Sequence, residues 1–264
     1  LNGCSTDNKA CPICNDSGWE ECSKDGYEYY RECRCGIRQR QITKNRLSFA
    51  NIPESFKEIR LDSFNTKVYQ DIKSRNKSET AVNAVNYWIK NFNDMAKRGM
   101  GLYLYSETKG SGKTRMAASI ANELIYEKNI QVKFATSLQI LNEIKASWDR
   151  RNGQNTECTE SNLLNFLSTT KVLIIDDFGT EQAKDWIGER FYQIINNRYV
   201  DKKITIFTSN SKLDLLSYDD RITNRIKERV FQIPFPEESV REIISKQNIK
   251  ELVKGIKDIK GDSA

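Results

Sequence analysis

The stretch LYLYSETKGSGKT, residues 102–114, decides the reading of this chain. Its first four residues are apolar and aromatic and predict a short buried strand, and a helical pattern opens at Lys113. Between strand and helix lies ETKGSGKT, residues 107–114. A loop in that place can aim its backbone N–H groups inward. Gly110, Ser111 and Gly112 let it turn tightly enough to cradle phosphates. Lys113 then reaches the β- and γ-phosphates of a nucleoside triphosphate, and the Thr114 hydroxyl ligates Mg²⁺. Glu107 stands where the usual pattern has its first glycine, so its carboxylate is expected to point away from the phosphates.

Downstream the pattern alternates strand and helix, which predicts a parallel sheet covered on both faces. Strands are expected at 132–135, 172–176, 204–208 and 230–233. Helices are expected near 113–128, 138–148, 161–168, 184–199, 219–227 and from 237 to about 254. A polar loop is expected at 150–160. Upstream, 36–50 reads as a basic connector helix with Arg38, Arg40, Lys44 and Arg46. Residues 65–77 read as a loop, and 78–97 as a helix closed by Gly99 and Gly101.

VLIIDD, residues 172–177, is an apolar strand ending in two carboxylates. Beside a phosphate loop, Asp176 is expected to hold Mg²⁺ through water and Asp177 to polarise the attacking water. ITIFTSN, residues 204–210, is a second buried strand ending in polar groups, from which Asn210 could orient that water. Arg221 and Arg225 lie four residues apart on one helical face, and Arg241 follows the last strand. A guanidinium aimed at developing γ-phosphate charge is a recurrent catalytic device.

The composition narrows the chemistry. The chain has 264 residues, a net charge of +6, 38% hydrophobic and 30% charged residues, and no histidine. Histidine-based nucleophilic catalysis and histidine-ligated metals are therefore excluded. No apolar run approaches a bilayer span, and no secretory signal is recognisable, so the expected location is cytoplasmic. Six cysteines cluster from Cys4 to Cys35, with Cys158 far downstream. In a reducing compartment such a cluster reads as a zinc knuckle, with Cys11, Cys14, Cys33 and Cys35 the chosen ligands and Cys4 and Cys22 competing. Tyr27, Tyr29 and Tyr30, interleaved with Arg31 and Arg34, suit either stacking on single-stranded bases or the core of a tiny module. The expected division is a zinc module with its connector at 1–50 and an ATPase domain at 51–264.

Taken together, the phosphate loop, IIDDFGTE through Glu181, ERFYQIINNRY, IFTSN, RITNRI and the Cys-rich front resemble the AAA+ ATPases of the DnaC/DnaI helicase-loader family. The resemblance implies a five-stranded P-loop core of α/β class, ATP with Mg²⁺, and a replicative helicase hexamer and single-stranded DNA as partners. It further implies self-association through the ATPase domain. It gives Asp177 the catalytic carboxylate, Asn210 the sensor-1 position, Arg225 the arginine finger with Arg221 as its alternative, and Arg241 the sensor-2 position. An IstB-like transposition helper and a nucleotide-switched, non-catalytic DNA-binding adaptor are the competing readings.

Overall fold

The computed structural model describes residues 10–149, 159–181 and 185–261. Cys4, Cys158, most of the expected loop at 150–160 and the expected helix start at residue 184 lie outside the described residues. The chain opens with an antiparallel hairpin, β1 (Trp19–Lys24) and β2 (Tyr27–Glu32), followed by helix α1 (Ile37–Ala50). Helices α2 (Ile72–Lys90) and α3 (Phe92–Arg98) lead into β3 (Gly101–Tyr105). Then come α4 (Lys113–Tyr126), β4 (Val132–Thr136), α5 (Ser137–Asp149), α6 (Glu160–Thr169) and β5 (Val172–Asp176). The chain continues with α7 (Asp185–Val200), β6 (Ile204–Ser209), α8 (Asp220–Glu228), β7 (Val230–Pro234) and α9 (Val240–Gly261).

All five strands after the hairpin form one parallel sheet in the order β4-β5-β6-β3-β7. Alternate residues feed two cores, one per face, because a strand's side chains alternate. Leu102 and Leu104 join a cluster with Val85, Trp88, Ile120 and Leu124. Tyr103 joins the opposite cluster with Ile144, Phe178, Phe191 and Ile226. The connector α1 belongs physically with this core: its last residue, Ala50, is fully buried in the first cluster, and Phe49 meets Phe166 edge-on at 5.3 Å. Arg198 is buried, and no ion pair to a carboxylate is found for it among the described residues. Its guanidinium donates to the carbonyls of Leu167 (2.7 Å), Thr170 (2.8 Å) and Ile204 and to Thr205 Oγ1 (2.8 Å), tying α6, α7 and β6 together.

The expected loop at 65–77 needs correction. The helix begins at Ile72, where the Asp71 carboxylate accepts from the Ser74 N–H at 2.8 Å. This Asx cap outweighs the polar composition of the first two turns, in which Ser74 and Ser78 turn inward and Ile72, Lys73, Asn76 and Glu79 face solvent. The helix expected at 78–97 breaks near Asn91, and only Gly99 ends it, at φ 68°. Gly101 is instead the first residue of β3.

Candidate nucleotide site and cysteine centre

The sheet order brings the site together. Ligand sites of open parallel sheets lie beyond the carboxyl ends of the strands, and here β6 separates the phosphate-loop strand β3 from the acidic strand β5. Thr208 of β6 therefore sits between them. Its hydroxyl donates to Asp176 Oδ1 at 2.6 Å and accepts from the Asp177 N–H at 3.0 Å. From the other side, Thr114 Oγ1 donates to Asp176 Oδ1 at 3.0 Å. Burial raises the pKa of Asp176, against the hydrogen bonds from Thr208 and Thr114. A divalent cation would meet hard oxygen donors on Thr114 and Asp176 and would relieve that buried carboxylate.

Lys113 is buried and lies across the loop. Its ammonium donates to the carbonyls of Ser106 (3.1 Å) and Thr108 (3.0 Å) and to Ser111 Oγ (3.2 Å). Burial lowers its pKa, while Asp177, Glu237 and Asp176 pull upward and Arg241 pulls down. A buried cation held by neutral carbonyls gains most from an anionic phosphate. Gly112 has φ 97°, and a Cβ there would stand 3.0 Å from Tyr69 Oη. Gly110 has φ 78°, and its Cβ would stand 3.1 Å from Arg241 Cγ. Glu107 is exposed, as expected, and its φ is not positive, so this position does not require glycine.

Asp177 adopts the left-handed conformation at φ 54°. Its carbonyl accepts from Ser137 Oγ (3.0 Å) and Thr180 Oγ1 (2.8 Å), which leaves the exposed carboxylate beside the loop. A strained backbone fixed by three bonds is common where a side chain must be aimed. Asn210 follows β6, half-buried, between Ser209, which donates to the Phe178 carbonyl, and Ser211, whose carbonyl accepts from Tyr103. Arg225 lies on α8, stacked over Tyr192 at 4.9 Å and Tyr199 at 5.8 Å. Arg221 is held in a fork by Asp219, whereas no ion pair of Arg225 is found among the described residues. Thus Arg241 packs on the loop, whereas the side-chain contacts of Arg221 and Arg225 found among the described residues are with Asp219, Tyr192, Tyr199 and each other.

Sequence reasoning missed Tyr69 and Glu237. Tyr69 is buried and donates to the Ser111 carbonyl at 2.7 Å. Burial pushes its pKa up to about 12, so the hydroxyl stays a donor. The one available signal was an aromatic residue inside an otherwise polar stretch.

The cysteine centre forms at the root of the hairpin. The Sγ atoms of Cys11, Cys14, Cys33 and Cys35 lie within 4.8 Å of one another, with Cys11–Cys33 at 3.8 Å and Cys14–Cys35 at 3.6 Å. A tetrahedral zinc with Zn–S bonds near 2.3 Å sets sulfur atoms about 3.8 Å apart, so the four thiols fit Zn²⁺. Backbone amides of Cys14 and Ile13 draw Cys11 down to about 7, and burial raises Cys14. Cys22 lies apart, its thiol directed to the Glu20 carbonyl, which decides the choice among the described cysteines. Tyr27 and Tyr30 are 79% and 66% exposed, so they are not the module's core.

A phosphate loop after β3, an acidic β5, a polar β6 between them and an arginine laid over the loop from α9 define a P-loop ATPase of the AAA+ class. A sequence model described as "IstB-like ATP binding protein" matches residues 37–232. The chain belongs to that family. It is 33% identical over 135 residues to the replicative helicase loader DnaI of Bacillus subtilis (strain 168), covering 51% of this chain and 40% of the relative. It is 25% identical over 224 residues to the protein YqaM of the same organism, covering 83% of this chain and 64% of the relative. The chain thus spans 40% to 64% of the length of these two relatives. Its fold resembles a crystal structure of the DnaC helicase loader, with a TM-score of 0.57 and 23% identity over 69% of this chain and 99% of that one. Among the described residues no helix is long and apolar enough to cross a membrane.

Proposed function

We propose that the protein is an ATP-dependent loader that places a replicative DNA helicase hexamer on single-stranded DNA. The observation that carries this reading is the joining of a complete phosphate-loop site to a separate four-thiol module through α1. The similarity to DnaI supports it. In this reading the loop amides and Lys113 hold the phosphates of ATP, and Thr114 and Asp176 hold Mg²⁺. Asp177 takes the proton of the attacking water, and Asn210 orients that water. Arg241 contacts the γ-phosphate within the same chain. Arg225, which makes no ion pair among the described residues and stacks on Tyr192 and Tyr199, serves the nucleotide of a neighbouring copy. Hydrolysis is therefore slow until copies assemble.

The hairpin's charge favours a protein partner for the module. Residues 19–32 carry five carboxylates, Glu20, Glu21, Asp25, Glu28 and Glu32, against Lys24 and Arg31. Such a surface repels a phosphate backbone. The exposed Tyr27 and Tyr30, with the half-exposed Trp19, suit a helicase contact instead. Single-stranded DNA then falls to the ATPase domain.

The family match favours a second reading, an ATPase helper in DNA transposition. The matched segment begins at residue 37 and leaves the four-thiol module outside it, and that module is what favours the loader. Co-purification with a replicative helicase hexamer, with and without ATP and Mg²⁺, tests the proposal. Nucleotide-dependent retention of the helicase is expected. A chain that ignores the hexamer in both conditions contradicts the loader reading.

A further inference from the structure

Three segments distant in sequence close a ring around the phosphate loop, and the acidic pair Glu237-Glu238 holds two of its joints. Glu237 Oε2 accepts from Ser106 Oγ (2.9 Å) and from the Thr108 N–H (2.9 Å), and Oε1 accepts from the Glu107 N–H (3.3 Å). Glu238 accepts from the N–H groups of Gln70 (2.8 Å) and Asp71 (3.2 Å). The residue before these, Tyr69, donates to the Ser111 carbonyl, and the Val240 N–H donates to the Gly110 carbonyl at 3.0 Å. Arg241 is the next residue along, packed on Gly110. Burial works against the ionised Glu237, yet the bonds from Ser106, Thr108 and Glu107 hold its pKa below the usual carboxylate range.

We infer that Glu237 is a positioning residue that fixes the entrance of the phosphate loop and the start of α9 as one unit, and so sets where Arg241 meets the nucleotide. This rests on the assignment of Arg241 to the γ-phosphate made above. The loop entrance begins with Glu107 where a first glycine is usual. The first two amides of the loop, those of Glu107 and Thr108, need an acceptor, and Glu237 supplies it. A carboxylate accepting from two backbone amides and a hydroxyl is a strong, directional anchor. Glu237 also stands four residues before Arg241, with Glu238, Ser239 and Val240 between. Lys77, whose ammonium lies 4.0 Å from Glu237, is too distant to replace those partners. Glu237 bonds to Ser106, Glu107 and Thr108 at the loop entrance rather than to the Gly110–Thr114 stretch, so its effect is transmitted through the position of Arg241.

The test compares ATP and ADP binding in Glu237→Ala, Glu237→Gln, Arg241→Ala and the double variant, by fluorescent-nucleotide displacement with Mg²⁺. Hydrogen exchange of the nucleotide-free protein is followed at the Glu107 and Thr108 amides. Arg241→Ala is expected to weaken ATP by about tenfold and ADP little, as loss of a charge-assisted phosphate contact does. Glu237→Ala should weaken ATP by about fivefold, spare ADP, speed exchange at both amides and add little on top of Arg241→Ala, because coupled sites are not additive. Glu237→Gln, which keeps one acceptor oxygen, should fall between. If Arg241→Ala leaves ATP and ADP equally bound, the assignment of Arg241 fails. If Arg241→Ala selects against ATP while Glu237→Ala weakens both nucleotides alike, or adds fully to Arg241→Ala, the positioning role of Glu237 is overturned.

Discussion

The ATPase core and the four-thiol module solve the problem of holding a chain together in opposite ways. In the core, Leu102, Ile174 and Ile206 on one face of the sheet and Tyr103, Ile175 and Phe191 on the other are buried. At roughly 25 cal/mol per Å² of apolar area, such burial offsets the entropy of ordering the chain without help. In the hairpin module every residue of β2 is exposed, and among the described residues before α1 the buried hydrophobic ones are Cys14 and Cys33. A segment this short with no apolar interior depends on its metal ligands for a fixed shape. The two regions therefore respond to different perturbations. One is sensitive to what is lost from its interior and the other to what is bound at its root.

Removing zinc should separate them most sharply. A strong chelator, or the Cys11→Ser and Cys14→Ser pair, is expected to release about one zinc per chain and unfold the hairpin. The core should keep its melting transition and its ATP affinity. Elemental analysis with calorimetry reads this directly, and simultaneous loss of both regions would erase the distinction. The next effect comes from within the core. Arg198→Ala leaves the carbonyls of Leu167, Thr170 and Ile204 without a donor and is expected to cost about 3 kcal/mol or more in chemical denaturation. The zinc content should not change. Arg198→Lys should recover little, since an ammonium cannot span the fork.

Lys113→Ala should leave both regions folded and weaken ATP by about 100-fold, because a buried ammonium facing phosphate is worth several charge-assisted bonds. Unchanged affinity in equilibrium dialysis would dissociate the loop from nucleotide binding. The smallest effect sharpens the link between the upstream chain and the loop. Tyr69→Phe removes one hydrogen bond to Ser111 while keeping the ring, and ATP affinity should fall about threefold with little change in melting.

The parts of this molecule that follow from local pattern were legible in the sequence. Strand β5 at 172–176 has the expected bounds, and the loop at 107–114, the acids after it and the four thiols were all visible because their spacing encodes their chemistry. The start of α2 was not, because an Asx cap at Asp71 decided it against composition. Tyr69 and Glu237 were invisible for a different reason. Their partners lie 42 and about 130 residues away, so only the tertiary ring gives them meaning. The preference for Arg225 over Arg221 as the proposed finger is supported by the Arg221–Asp219 ion pair, which the sequence spacing alone did not weigh.

The proposed function is nucleotide-controlled placement of a helicase hexamer on single-stranded DNA. Its most direct measurement is the unwinding of a primed single-stranded circle by a replicative helicase hexamer, with the wild-type chain, with Asp177→Asn and with no added chain. The account predicts that the wild-type chain with ATP stimulates unwinding, and that Asp177→Asn, still able to bind ATP, retains helicase but stimulates far less. Equal unwinding in all three reactions, with the chain demonstrably bound to helicase, would contradict it.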